Sequence, residues 1–159
     1  YLEKISYLKT VVPDIALTTD LIVGFPDERD EDFERTMFAL REVQFSQVYS
    51  FKYSPRPGTE AEHLEDNVPR EVKEERLARV IALGEEINEQ KMLAAHNTVQ
   101  EVLIDGAHPK RRNIMNGRTQ GYRPVSIESD ALDIGDVLKV KITGHERYRF
   151  IGELLPTGA

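Results

Sequence analysis

Two patterns of apolar spacing meet in this chain. Together they predict an α/β unit forming part of a (βα) barrel, followed by a small all-β barrel of the oligonucleotide-binding type. The first sign is a strand–helix–strand order in short spans before residue 68, the βαβ pattern of a parallel sheet or barrel. The second is a run of short alternating strands after residue 97, separated by glycine-bearing turns. Between them lies a long amphipathic stretch that reads as one connector helix. The expected domains are therefore residues 1–68, 69–96 and 97–159.

Leu2, Ile5, Leu8 and Val12 share one stripe of a first helix, which Pro13-Asp14 ends. Residues 15–23 form an almost continuous apolar, β-branched strand, the kind that parallel sheets bury on both faces. Gly24-Phe25-Pro26 stops it. Asp30, Glu31 and Asp32 then open a helix, where acids suit the positive N-terminal dipole, and Phe33, Met37, Leu40 and Val43 or Gln44 face inward. Residues 45–53 make the next strand, closed by Ser54-Pro55-Arg56-Pro57-Gly58-Thr59, which no helix or strand interior tolerates. Pro69 suits a first helical turn, and from Arg70 to about Ala95 the residues Leu77, Val80, Ile81, Leu83 and Ile87 recur at helical spacing. Five antiparallel strands follow at 98–104, 117–122, 125–128, 137–143 and 150–155. A two-stranded parallel pair cannot enclose a core of its own, so residues 1–68 read as the last third of a barrel. A chain that opens at Tyr1, inside a helix and without Met, reads as a piece of something longer.

At 159 residues with 40% hydrophobic and 31% charged, the chain can bury a core and is neither wholly disordered nor membrane-spanning. A cytoplasmic protein without membrane contact is expected. Cysteine is absent, which removes disulfides, thiolate nucleophiles and any Cys-held zinc or iron–sulfur cluster from this chain. Residues 1–96 carry 12 Lys and Arg against 20 Asp and Glu, whereas residues 97–159 carry 9 against 8. The second part is thus the better polyanion contact.

Ligands of α/β proteins sit in loops at the C-terminal ends of parallel strands, which points to Val23–Glu28 and 53–59. Gly24 lets a backbone approach a flat ligand, and Arg56 between two prolines presents a guanidinium to a carboxylate or phosphate. A Gly-Phe-Pro turn that ends a buried strand is more often mere punctuation, and Arg56 can equally cap its own barrel. The acids at 27–32 are most simply dipole compensation. His63, His96, His108 and His145 lack the spacing of a zinc site. In the second part Lys110, Arg111 and Arg112 share a loop, and Arg118, Tyr122, Arg123, Lys139, Lys141, Arg147, Tyr148 and Arg149 recur on strands and turns. Cations interleaved with aromatics suit single-stranded RNA. Glu128, Asp130, Asp133, Asp136 and Glu146 dilute that patch.

Three phrases carry a resemblance: Thr18-Thr19-Asp20-Leu21-Ile22-Val23-Gly24-Phe25-Pro26, Phe51-Lys52-Tyr53-Ser54-Pro55-Arg56-Pro57-Gly58-Thr59, and Val68-Pro69-Arg70-Glu71-Val72-Lys73-Glu74-Glu75-Arg76-Leu77. Together they resemble the C-terminal part of the radical S-adenosylmethionine methylthiotransferases, closest to the MiaB branch. Gly117-Arg118-Thr119 with Arg123 and Val125, then Ile151-Gly152-Glu153-Leu154, is similar to that branch's TRAM domain, a small RNA-binding barrel. The resemblance implies a parent enzyme that methylthiolates N6-isopentenyladenosine beside the anticodon by radical chemistry. It implies S-adenosylmethionine and two [4Fe-4S] clusters as cofactors, with the cluster cysteines outside this chain. Its implied partners are a tRNA anticodon stem-loop, an electron donor and the preceding part of the same polypeptide. No catalytic or metal-ligating residue is then expected here, and the chain alone should be inactive.

Carried over by position, Ile22, Val23, Gly24, Phe25 and Pro26 would lie near the adenine of S-adenosylmethionine, with Tyr53, Ser54 and Arg56 on the same barrel mouth. Where the family usually has Gly-Glu-Thr after Gly-Phe-Pro, this chain has Asp27-Glu28-Arg29. Asp27 is then expected at positive φ, which Asp tolerates better than most residues, and the helix N-cap is expected to move to Asp30. Competing readings are the sister branches acting on threonylcarbamoyladenosine in tRNA or on a ribosomal-protein aspartate, and a non-catalytic RNA-binding module.

Overall fold

In the computed structural model, which describes residues 1–155, the chain divides into two units, Tyr1–Asn88 and a second beginning at Glu89. In the first, β1 (Thr18–Val23) and β2 (Gln47–Lys52) pair in parallel from Thr18↔Gln47 to Val23↔Lys52. The helix α1 (Leu2–Val11) precedes them, α2 (Asp30–Val43) connects them, and α3 (Arg70–Ala94) follows. The inward stripe of α2 is the expected one: Phe33, Met37, Leu40 and Val43 are buried with Val23, Phe45 and Val80. Leu2 and Ile5 of α1 pack against this cluster, and Lys9 Nζ donates to the Val43 carbonyl at 2.7 Å, satisfying an orphan acceptor at the end of α2.

Two expectations fail in this unit. β1 is not buried on both faces: Ile22, Tyr49 and Phe51 stand 54%, 47% and 55% exposed. Only one side of the pair carries packed helices, so the other leaves a row of apolar side chains open. The N-cap of α2 is Arg29 rather than Asp30. The Arg29 N–H donates to Asp32 Oδ2 at 3.2 Å, while the Asp30 carboxylate is engaged by Arg76. Asp27 does adopt φ +65°, as expected.

The second unit is a closed barrel of β3 (Val99–Ala107), β4 (Ile114–Thr119), β5 (Pro124–Glu128), β6 (Val137–Glu146) and β7 (Arg149–Leu154), in the order β3-β4-β5-β7-β6. Four pairings are antiparallel, but β5 and β7 run parallel through Val125↔Phe150. The all-antiparallel expectation fails by parity, because strands of alternating direction cannot close a ring of five. Alternating residues Val102, Ile104, Met115, Val125, Ile127, Val140, Ile142 and Phe150 fill the interior with Met92 of α3. Gly117 is required there: a Cβ would lie 2.6 Å from both the Leu103 carbonyl oxygen and Val102 Cγ1. β4 starts and ends earlier than expected, since Tyr122 N–H bonds the Thr119 carbonyl at 2.9 Å and turns the chain at φ +63°. Among the described residues, no helix is long and apolar enough to cross a membrane.

Candidate cofactor loop and candidate nucleic-acid interface

The loop after β1 is fixed from inside. Gly24 has φ +69°, its N–H donates to Glu28 Oε2 at 2.6 Å, and a Cβ would collide with the Lys73 side chain. Glu28 also accepts from Arg76 Nη1 at 2.7 Å, and Arg76 reaches the Glu28 carbonyl at 3.0 Å and Asp30 Oδ1 at 2.7 Å. Burial works against the charge of the Arg76 guanidinium, but its bonds to Asp30 and Glu28 prevail and hold it above its ordinary value. Val23, Gly24, Pro26 and Tyr53 are buried. The Tyr53 hydroxyl donates to the Ala61 carbonyl at 2.7 Å, and its ring meets Phe25 edge-on at 5.0 Å. Ile22, Phe25, Ser54 and Arg56 are the exposed members of the expected set. The eight residues thus separate into a buried scaffold and an exposed edge.

Sequence reasoning gave Lys73 and Arg76 no role of their own and took Glu28 only as part of the loop and of the acidic cluster. Lys73 is buried, ion-paired with Asp66, and its ammonium lies 5.3 Å from the Tyr53 ring centroid. The available signal was periodicity: Lys73, Arg76 and Val80 share the inward stripe of α3, so two cations occupy positions that spacing assigns to the core. A buried cation at such a place demands a carboxylate, and the acids at 27–32 and Asp66 supply it.

On the barrel, side chains alternate between core and exterior, and the structure does not gather all ten expected basic and aromatic residues into one patch. Lys139 and Lys141 are exposed on β6 but lie opposite Glu101 of β3 and Glu153 of β7. Lys110, Arg111 and Arg112 are exposed in the loop after β3, where the Lys110 and Arg111 N–H groups donate to His108 Nδ1 at 3.1 Å. Arg147 sits at φ +50° in the β6–β7 turn. Arg123 is half-buried, and burial pushes its guanidinium below the ordinary value against the pull of Tyr148. Arg118 Nε bonds Asp105 Oδ2 at 2.5 Å, and its guanidinium stacks 4.5 Å from the Tyr122 ring centroid. Arg149 donates to Asn116 Oδ1 at 3.1 Å and Ser126 Oγ at 3.3 Å. It lines a cleft of about 550 Å³ with Asn116, Ser126, Ile127 and Ile151.

The fold also joins two histidines that sequence spacing left apart. His96 Nε2 and His145 Nδ1 are 2.8 Å apart, and His145 Nε2 lies 3.1 Å from Glu89. Among the described residues, no group of three His, Cys, Asp or Glu side chains is placed to hold a metal ion.

A closed five-stranded barrel with cations and an aromatic on its outer face defines the class of the second unit, and residues 94–155 match the TRAM domain family. The resemblance extends beyond the barrel. The chain is 44% identical over 98% of its length to a tRNA-2-methylthio-N(6)-dimethylallyladenosine synthase of Halalkalibacterium halodurans, covering 29% of that protein. It is 44% identical over 97% to that of Geobacillus thermodenitrificans, again covering 29%, and 41% identical over 99% to that of Thermodesulfovibrio yellowstonii, covering 36%. Along nearly its whole length the chain is thus similar to synthases of this name, and it spans about a third of the length of these relatives.

Proposed function

We propose that this chain is the tRNA-contacting and cofactor-flanking part of an enzyme that adds a methylthio group to position 2 of N6-isopentenyladenosine next to the anticodon. The observation that carries the reading is identity at 44% across both units to synthases named for that product, rather than across the TRAM segment alone. The barrel would hold the anticodon stem-loop through Arg118, Arg123, Arg149 and the 110–112 loop, whose cations displace counterions from phosphates. The open face of β1 and β2, with Ile22, Tyr49 and Phe51, suits packing against further strands of a (βα) barrel.

The residues after β1 and β2 fit S-adenosylmethionine in a divided way. The Gly24 N–H is already bonded, so Val23, Gly24, Pro26 and Tyr53 would shape the mouth. Ile22 and Phe25 would cover a flat base, and Ser54 and Arg56 would meet a carboxylate. When bound, the cofactor supplies the methyl group and the radical that activates the base. The iron–sulfur clusters that the resemblance implies would need thiolate ligands, and since this chain has no cysteine, residues outside it would supply them.

Titrating the chain with a tRNA anticodon stem-loop and with a blunt RNA duplex of equal charge tests the RNA half of this reading. Tighter binding to the stem-loop, weakening steeply with salt, is expected. Equal binding to the duplex would leave only general phosphate attraction.

A further inference from the structure

We infer that Tyr122 is a stacking platform for one unpaired RNA base and that Arg118 is its positioning residue. This rests on the reading of the barrel as an RNA-binding surface and names the group that meets a base there. Tyr122 stands 73% exposed at the tip of the β4–β5 turn. Its backbone holds φ +63°, a conformation that glycine adopts freely and an aromatic residue adopts at a cost, although Gly121 stands one position earlier. The contact with Arg118 holds the ring in place yet leaves most of it exposed to solvent. Strain of this kind, retained at an exposed aromatic, is where a binding role is sought.

The ring is also oriented. The Arg118 guanidinium covers it at 4.5 Å from the centroid, and Asp105 fixes that guanidinium through Nε at 2.5 Å. A flat, open aromatic surface with a cation fixed against it offers stacking to any base whose own face is free, which a duplex does not provide. The surroundings suit the chain that would carry such a base. Arg118 pairs with Pro124 across β4 and β5, and Arg149 precedes Phe150, whose partner Val125 follows Pro124. The two arginines therefore flank Pro124 on the outer face of the barrel, where Arg149 enters the cleft with Asn116 and Ser126. A ribose-phosphate backbone beside Tyr122 meets fixed cations.

The test uses the whole chain and two fluorescent probes, a ten-nucleotide oligoadenylate and a ribose-phosphate oligomer of the same length without bases. The wild-type protein is expected to prefer the base-bearing oligomer by roughly 5- to 100-fold. Tyr122→Gly should lose that preference, keep its affinity for the abasic oligomer and its salt slope, and melt no lower than wild type, because glycine relieves the strained φ. Tyr122→Phe should keep the preference. Asp105→Ala should weaken the preference without lowering the salt slope, since it frees the guanidinium but retains its charge, whereas Arg118→Ala should lower the slope by about one. An unchanged preference in Tyr122→Gly overturns the platform while leaving RNA binding intact. Failure of the wild type to bind either oligomer overturns the RNA reading and the platform with it.

Discussion

Replacing Arg76 with methionine removes the guanidinium that fastens the loop after β1 to α3. Arg76 is 4% exposed, and its partner Glu28 keeps only 11% of its side chain accessible. Asp30, the other carboxylate on Arg76, is 95% exposed and contributes little. The single change strands the Glu28 carboxylate with the Gly24 N–H as its remaining named donor. Breaking a buried pair from one side costs about 3–5 kcal/mol. Glu28→Met leaves the buried guanidinium with the exposed Asp30 carboxylate and the residue 28 carbonyl as acceptors, and so costs less, about 1–3 kcal/mol. Replacing both removes two charges together and leaves chiefly the Gly24 N–H unpaired, about 1–3 kcal/mol. The double variant should therefore be far less damaged than the sum of the singles. Urea unfolding, read by hydrogen exchange at the β1 amides so that the first unit is followed by itself, measures all three. Additivity of the singles to within about 0.5 kcal/mol would refute a coupled buried pair.

Three further outcomes are expected. Gly117→Ala should destabilise the barrel by about 1–3 kcal/mol, because the Leu103 carbonyl and Val102 occupy the Cβ position; exchange in β3 and β4 should report it while β1 is unaffected. Asp32→Ala should lower the melting temperature at neutral pH and have no effect in strong acid. The backbone N–H of Arg29 holds the Asp32 carboxyl below its unfolded value, so its contribution is whole above about pH 4 and fades as pH falls through the folded value. Arg118→Ala with Arg123→Ala should weaken anticodon stem-loop binding roughly 5- to 100-fold in a salt-dependent titration. Unchanged affinity would place the RNA surface elsewhere.

Local pattern carried much of the fold. The α2 stripe of Phe33, Met37, Leu40 and Val43 and the parallel βαβ pair are legible because helix period and short connections are local properties. What escaped depends on partners remote in sequence. The parallel β5–β7 contact follows from ring closure, which no window of residues displays. The open face of β1 follows from the number of strands in the sheet rather than from the apolar run that suggested full burial. Within the candidate sites, positive φ at Asp27 was readable from a missing glycine, whereas the Glu28–Arg76 pair needs two elements 48 residues apart to meet. Residue type alone marked Arg118 and Tyr122 as candidates for an RNA contact, but it did not show their stacking on each other. That stacking requires the early end of β4 and the turn at Thr119.

The most direct measurement is nucleoside analysis of tRNA from cells lacking their own methylthiotransferase, after supply of the full-length gene that encodes this chain. The 2-methylthio derivative of N6-isopentenyladenosine should appear, and the same gene carrying Tyr122→Gly should yield less of it. Methylthiolation found only on threonylcarbamoyladenosine or on a ribosomal-protein aspartate would contradict the proposed substrate. No methylthio product at all would contradict the enzyme reading.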